Sequence, residues 1–375
     1  MQEASLNEYY RIENFNDSFA PGHYARVLDA VDRRNGQLVA FKVLRPEHFV
    51  VGELTWEYQA FANESELLMK MAGSEHVVRL LDSGYITSVD ERPVDGAIVS
   101  YQADTLGFVR DANVFVERGW RPYLALEHLP RTENLFYLMK PNLPGVRWRL
   151  PTEEALDLAL QFATMLKLAH QQRIVYLDHK LEHVYWDGQM LRVIDWNSSR
   201  LVEQASAQTA QMFQMDVHHL CVGILYPILT GLSPQKTSLV PQPASPTTLS
   251  QRYTDVNHLD FGVEPTLSEG LQSLLQKGAA SAFQSVEEFF GELAEAARHL
   301  GWDFPHRPAD DALRLVRSRT RAGLAKLRAG QSAIREARDL LREAAIAEGI
   351  NKDAEQELHR LLAAINEMLA RRVIP

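Results

Sequence analysis

A short segment, VYLDHKLEHVYWDGQMLRVIDWN (175–197), concentrates side chains that could do chemistry. It contains two aspartates, Asp178 and Asp195, with Lys180 and His183 between them and apolar runs on either side. Phosphoryl transfer uses such residue types, because the protein mainly has to hold charged phosphates and metal in line with a nucleophile. Each residue alone is more often a loop cap or a solvated charge. The hypothesis therefore depends on the elements that would position these side chains.

The first of these elements is a predicted β-hairpin. Residues 19–44 contain two β-rich apolar runs joined at Asn35-Gly36, a dipeptide that accepts the positive φ angles of a tight turn. Lys42 lies near the end of the second run. The pattern places a lysine on a strand early in the chain.

A helix and two further strands are predicted next. Residues 54–73 space their apolar side chains at helical intervals, include Glu64 and end at a glycine. The apolar runs 76–86 and 121–129 are strand candidates. The interval 87–119 is too long for a hairpin loop, so we expect an insertion with some strand of its own.

After residue 130 the pattern changes to helices. A long buried helix is predicted over 151–174, because it opens with proline and acidic residues and then keeps an apolar stripe. A strongly apolar helix is predicted over 215–234, where glycine and proline end it. Two more helices are expected near 267–278 and 285–301.

Composition excludes several classes of protein. The 375 residues are 46% hydrophobic and carry a formal net charge of −10, which argues against a surface built mainly for nucleic acid. No apolar run approaches the roughly 18 residues of a membrane span, and the opening residues lack the features of a signal peptide. The single cysteine, Cys221, fits a buried core position. A cytoplasmic location is the expectation.

The order of these elements resembles the eukaryotic-type protein kinase superfamily between residues 10 and 300. The resemblance lies in six motifs: VAFK (39–42), NESELL (63–68), LALEHL (124–129), LAHQQRIVYLDHKLEHV (168–184), VIDWN (193–197) and DVHHLCVGILYPILTG (216–231). It implies an α+β, bilobal fold with an antiparallel-sheet N-lobe over 1–129, a helical C-lobe over 130–300 and a helical extension over 301–375.

The resemblance also implies ATP and Mg²⁺ or Mn²⁺ as cofactors, and a role for each site residue. Asp178 would orient the acceptor hydroxyl or accept its proton, with Lys180 neutralising the transferred phosphoryl group. Asp195 and His183 would hold the metal ion. The cofactor-binding positions, which cover phosphates and adenine, would be Gly22, Val27, Ala40, Lys42, Glu64, Glu127 and Leu129.

Two departures from the family affect the cofactor. The phosphate loop of protein kinases has three glycines, whereas APGHYARV (20–27) retains only Gly22. His183 stands where the second metal ligand is normally asparagine. An imidazole nitrogen suits softer divalent ions better than Mg²⁺, so a preference for Mn²⁺ is expected.

Other departures affect the acceptor. Leu177 replaces the arginine that many regulated kinases have beside the catalytic aspartate, and Asn197 replaces a glycine. Only 21 positions separate Asp195 from Asp216, too few for a usual activation segment, so the peptide-docking platform is expected to be absent. A protein kinase acting on Ser/Thr hydroxyls is the leading hypothesis. A small-molecule kinase of the aminoglycoside or choline type and a pseudokinase scaffold are the alternatives.

The C-terminal residues differ in charge from the rest. From residue 307 onward they carry a net +4, and 314–328 contains six basic and no acidic residues. A helical hairpin with a break at Gly349 is predicted, which either docks on the body or binds a partner or a second copy. Nucleic acid is not the expected partner, because no aromatic residues interleave the arginines.

Overall fold

The protein's computed structural model describes residues 3–16, 24–139, 147–203, 206–235, 239, 252–302, 330, 333–345 and 352–370. The N-terminal part is built on a seven-stranded antiparallel sheet with the strand order β1-β6-β5-β7-β4-β3-β2. Its strands are β1 (Ala4–Ser5), β2 (Tyr10–Phe15), β3 (Ala25–Asp32), β4 (Leu38–Leu44), β5 (Leu80–Ile86), β6 (Ala97–Ser100) and β7 (Arg121–Glu127).

The helical part follows, with two small two-stranded sheets beside the longest helix. These sheets pair β8 (Ile174–Val175) with β11 (Arg200–Leu201), and β9 (Val184–Trp186) with β10 (Leu191–Val193). Among the described residues of both parts, the α-helices are α1 (Leu6–Tyr9), α2 (Trp56–Lys70), α3 (Thr105–Arg110), α4 (Ala112–Glu117), α5 (Leu135–Met139), α6 (Thr152–Gln171), α7 (Ala207–His219), α8 (Tyr226–Thr230), α9 (Glu269–Ala279), α10 (Val286–His299), α11 (333–345) and α12 (Lys352–Ala370).

The predicted hairpin is confirmed. Strands β3 and β4 pair without a bulge, from Ala25 opposite Leu44 to Val31 opposite Leu38. Gly36 has a φ of 76° in the connecting turn, a conformation that a side chain would disfavour. Strand β4 also pairs with β7, so Lys42 lies on an interior strand.

Helix α2 confirms the helix predicted over 54–73. Its first turn is capped by Thr55, whose side chain accepts a hydrogen bond from the backbone of Tyr58. Two neighbours of Glu64 on the helix are buried in the core: Phe61, three residues before it, and Leu68, four residues after it. Because residues three and four apart share one helix face, Glu64 faces the interior of the protein.

The interval 87–119 contains β6, as well as the short helices α3 and α4, which were not predicted. Six residues are too few for a helical period to show in the sequence. Packing stabilises them instead, since Tyr85 stacks on Phe115 at 4.3 Å and contacts Phe108 at 4.9 Å between ring centroids.

The apolar helix predicted over 215–234 begins earlier than expected, at Ala207, and contains one π-helical segment, Leu220–Leu225, before it continues as α8. Gly223 lies in this segment. A Cβ atom there would lie 2.5 Å from Tyr253 and 3.0 Å from the His179 carbonyl oxygen, so glycine permits close packing against the loop that carries Asp178.

The predicted C-terminal helices lie partly outside the described residues, and the basic stretch 314–328 lies wholly outside them. Helix α11 docks on the helical lobe, where buried Arg335 donates a hydrogen bond to the Tyr137 carbonyl at 3.2 Å. Helix α12 falls within the predicted hairpin. Within the described ranges, no helix combines the length and the apolar character needed to span a bilayer.

Candidate active site

Three of the predicted residues share one face of the sheet. Val27 on β3 is the direct cross-strand partner of Lys42 on β4, and Ala40 lies two residues before Lys42 on the same strand. Direct partners and alternate residues of a strand point to the same side. Val27, Ala40 and Lys42 therefore form a continuous strip facing the cleft between the sheet and the helical lobe.

Lys42 joins the sheet to both helix α2 and the loop after β10. Its Nζ donates to Glu64 Oε2 at 2.6 Å and to Asp195 Oδ1 at 2.9 Å. Burial by itself lowers the pKa of Lys42, but the carboxylates of Asp195 and Glu64 outweigh that effect and raise the pKa above its usual value. Lys42 is therefore a buried, fully charged ammonium held between two carboxylates.

The loop after β8 is held in place by Asp216 of α7. Its carboxylate accepts hydrogen bonds from the backbone amides of Tyr176 and Leu177, both at 2.8 Å, and contacts His170 Nε2 at 3.0 Å. Leu177 has a φ of 67°, which an ordinary residue adopts only when its surroundings impose it. This buried aspartate therefore fixes the backbone that presents Asp178.

Asp178 is surrounded by cationic and polar side chains. Its Oδ2 lies 3.7 Å from Lys180 Nζ and 3.5 Å from His183 Nδ1. Its Oδ1 accepts a hydrogen bond from Arg252. Burial favours a higher pKa for Asp178, but Lys180, His183 and Arg252 together hold the pKa below its usual value. The Asp178 carboxyl is therefore ionised at neutral pH.

Asp195 follows β10 and has a left-handed backbone conformation with a φ of 61°. The fully buried Trp196 anchors the next position, and Asn197 donates a hydrogen bond to Asp195 Oδ1. Burial would raise the pKa of Asp195, but Lys42 and His183 hold it well below its usual value. Strain and charge are both concentrated at this aspartate, as is common at functional sites.

The same loop residues provide a set of atoms that fits a divalent metal ion. Asp178, His183 and Asp195 each offer one ligand atom, and these atoms lie within 4.8 Å of one another. His183 Nε2 lies 3.1 Å from Asp195 Oδ2. One imidazole nitrogen with carboxylate oxygens suits Mn²⁺ at least as well as Mg²⁺.

The predicted adenine contacts lie at the end of β7. The backbone N–H of Glu127 donates to the Arg79 carbonyl at 2.9 Å, so an adenine contact at this residue would use its carbonyl oxygen. Leu129 follows two residues later and is half-buried. Gly22 lies outside the described residues. The roles assigned to these three residues remain predictions.

The comparisons with known proteins agree with this geometry. The family model of the protein kinase domain matches residues 16–221, more than half of the chain. The chain belongs to the protein kinase family. The predicted α+β, bilobal kinase fold is thereby confirmed.

A search of solved structures found many matching chains, and a search of curated proteins found no match. One match is the crystal structure of Rad53 1-466 in complex with AMP-PNP, with 13% sequence identity and a TM-score of 0.49. The alignment covers 77% of this chain and 66% of that chain, so the chain described here spans slightly less than two thirds of the Rad53 chain.

Sequence reasoning missed one residue of the site. Arg252 contacts Asp178 from 74 positions further along the chain, beyond the residues that the family model matches. Its neighbours in the sequence, QRYTD, have no motif that marks them as part of an active site. Only a family alignment or the tertiary structure could have brought Arg252 to attention.

Proposed function

We propose that the protein is an ATP-dependent phosphotransferase of the protein kinase type that acts on Ser/Thr hydroxyls. The observation that carries this proposal is the position of Lys42, which bonds Glu64 of α2 and Asp195 at the same time. In protein kinases the lysine–glutamate ion pair and the metal-binding aspartate must both be in place for transfer. The Lys42–Glu64 ion pair and the position of Asp195 beside it support the proposal.

Each site residue then has a role that its surroundings support. Lys42 would hold the α- and β-phosphates of ATP, and the strip of Val27 and Ala40 would cover the adenine. Asp195 and His183 would hold Mg²⁺ or Mn²⁺, which, when bound, neutralises phosphate charge. Glu64 keeps Lys42 in place.

The transfer step would use Asp178 and Lys180. The acceptor oxygen forms a bond to the γ-phosphorus while the bond between that phosphorus and the β–γ bridging oxygen breaks, and ADP leaves. The hydroxyl proton passes to the Asp178 carboxylate, which is ionised before the step. Lys180, whose Nζ lies 3.7 Å from Asp178, offsets negative charge on the transferred group.

The test is phosphate transfer from γ-³²P-labelled ATP to the protein itself and to a serine- and threonine-containing peptide library, comparing the parent with Asp178→Asn. We expect Asp178→Asn to lose transfer and to keep ATP binding, measured as a thermal shift, because Asp178 holds the acceptor and not the nucleotide. Transfer by Asp178→Asn at the parental rate would contradict the assignment. Asp195→Asn serves as the matched variant, since it should lose metal-dependent ATP binding.

A small-molecule acceptor is the second candidate, and one observation favours it. Asp178 is only 2% exposed, and the interval of 21 positions between Asp195 and Asp216 leaves little chain with which to dock a peptide. Transfer to aminoglycoside or choline-type hydroxyl compounds, with none to the peptide library, would decide for this candidate. Nucleotide binding with no transfer to any acceptor would instead indicate a pseudokinase.

A further inference from the structure

Arg252 belongs neither to the loop that carries Asp178 nor to the residues that the family model matches. It is 5% exposed, and its guanidinium donates to Oδ1 of Asp178, which is 2% exposed. Hydrogen bonds between charged groups are about twice as strong as neutral ones and are directional. In a buried pair such a bond strongly constrains how both side chains are oriented.

The two carboxylate oxygens of Asp178 consequently have different surroundings. Oδ1 accepts from Arg252, whereas Oδ2 faces Lys180 at 3.7 Å and His183 at 3.5 Å. His183 also contacts Asp195, so Oδ2 lies on the side of the carboxylate where the metal and phosphates would be. With Oδ1 engaged, rotation of the carboxylate is restricted and Oδ2 is the oxygen that remains to receive a proton.

The backbone next to Arg252 is fixed by packing. Tyr253 has a φ of 61°, and its carbonyl accepts a hydrogen bond from Val256 at 2.9 Å. The Tyr253 ring lies 5.7 Å from that of His219 and packs so closely over Gly223 that a Cβ atom there would be 2.5 Å from it. The guanidinium is thus presented by a turn that packs on the core helix of the lobe, which runs from α7 through the π-helical segment to α8.

We propose that Arg252 is a positioning residue for the transfer reaction, which holds Oδ1 of Asp178 so that Oδ2 points at the acceptor hydroxyl. A general base is effective when a third group orients it, and small errors in its placement reduce the rate strongly. In this kinase the orienting group comes from the segment after α8. The short interval between Asp195 and Asp216 leaves little chain that could help to orient Asp178, so the orienting side chain comes from elsewhere in the sequence.

This inference rests on the proposed function and is tested with the full-length chain. The transfer assay with γ-³²P-labelled ATP and the peptide library is run on the parent, Arg252→Ala and Arg252→Lys. We expect Arg252→Ala to lower kcat by about 10- to 100-fold. The KM for ATP should change less than about twofold, because Arg252 acts through Asp178 and not on the nucleotide. Arg252→Lys keeps a cation and should restore part of kcat.

Arg147→Ala is the control, because Arg147 is a partly buried arginine of the same lobe, bonded to the Thr230 carbonyl and to Glu264 away from the site. It should leave kcat near the parental value. If Arg252→Ala does not fold, Arg252→Lys and Arg252→Gln carry the comparison, with native near-ultraviolet circular dichroism as the criterion of folding.

Three outcomes would overturn the inference. A parental or higher kcat in Arg252→Ala would mean that Asp178 needs no such support, or that the ion pair blocks the acceptor. A raised KM for ATP at unchanged kcat would place Arg252 at the nucleotide. If the parent binds ATP but transfers no phosphate, the proposed function fails and this inference fails with it. If the parent is active and Arg252→Ala is equally active, only this inference is refuted.

Discussion

Lys42→Met is expected to destabilise the folded kinase more than Glu64→Gln does, although the two substitutions affect the same ion pair. Lys42 is bonded at once to Glu64 at 2.6 Å and to Asp195 at 2.9 Å. Methionine keeps most of the length of the side chain and removes its charge, so Glu64 and Asp195 both lose the ammonium, and Asp195 keeps its contact with His183. Glutamine at position 64 instead leaves Lys42 paired with Asp195.

The expected magnitudes follow from burial. Removing one partner of a buried ion pair typically costs about 3–5 kcal/mol, because the remaining charge stays uncompensated. Lys42→Met leaves the buried Glu64 in that condition and also removes one of the partners of Asp195, so the upper end, about 5 kcal/mol, is expected. Glu64→Gln weakens one charge-assisted hydrogen bond and should cost about 1.5–3 kcal/mol.

The assay is urea-induced unfolding without nucleotide, followed by tryptophan fluorescence and by circular dichroism. Coincident transitions in the two signals justify converting midpoints into free energies of unfolding. Lys277→Met is the control, because Lys277 also has two carboxylate partners, Glu288 at 3.0 Å and Glu292 at 2.5 Å, but its side chain is 33% exposed, against 6% for Lys42. Solvent screens that pair, so little change is expected.

The reasoning would be refuted if Lys42→Met unfolded at the same urea concentration as Lys277→Met. It would also be refuted if Glu64→Gln were the more destabilising of the two site variants. Either result would mean that the buried ammonium does not offset the burial of Glu64 and Asp195 in the folded protein.

Three further predictions concern separate parts of the chain. His183→Asn should shift metal-dependent ATP affinity from Mn²⁺ toward Mg²⁺, because an oxygen ligand replaces a nitrogen ligand. Titration calorimetry of ATP binding in each metal checks this, and an unchanged metal preference would make His183 a structural residue. Burial, together with His179 and His218, lowers the pKa of His219 to about 3. As the pH falls through about 6.5, the unfolded chain binds a proton at this histidine that the folded protein does not bind. The free energy of unfolding therefore decreases as the pH falls from about 6.5 toward 3. His219→Asn should reduce this slope by up to about 1.4 kcal/mol per pH unit in urea titrations, and an unchanged slope would contradict the assignment. Arg335→Ala should release α11 from the Tyr137 carbonyl and speed hydrogen exchange in α11 relative to α10, whereas unchanged exchange would show that other contacts hold the helix.

Much of the framework could be predicted from the sequence because local patterns carry it. The Asn35-Gly36 turn, the Thr55-capped helix and the buried helix ending in glycine each follow from backbone preferences or from side-chain periodicity. The order of these elements, together with the resemblance to kinases, predicted the fold class and led to Lys42, Glu64, Asp178 and Asp195 as site residues.

Short elements were less predictable. Helices α3 and α4 have six residues each, and their stability comes from aromatic packing against Tyr85 and not from a repeated pattern. The π-helical segment around Gly223 is likewise decided by what packs against it, namely the Tyr253 ring and the His179 carbonyl. Neither feature has a periodic signal in the sequence.

For the site, the sequence determined which residue types are present. The tertiary structure decided their partners, their orientation and their charge. Only the fold shows that Asp216 holds the loop of Asp178, that Lys42 bonds Asp195 as well as Glu64, and that Arg252 engages Asp178. The physical reason is that charge, burial and hydrogen bonding depend on distances between residues far apart in the chain. Arg252 and Asp178 are 74 positions apart, and nothing local in either segment encodes the packing of Tyr253 on the core helix that brings them together.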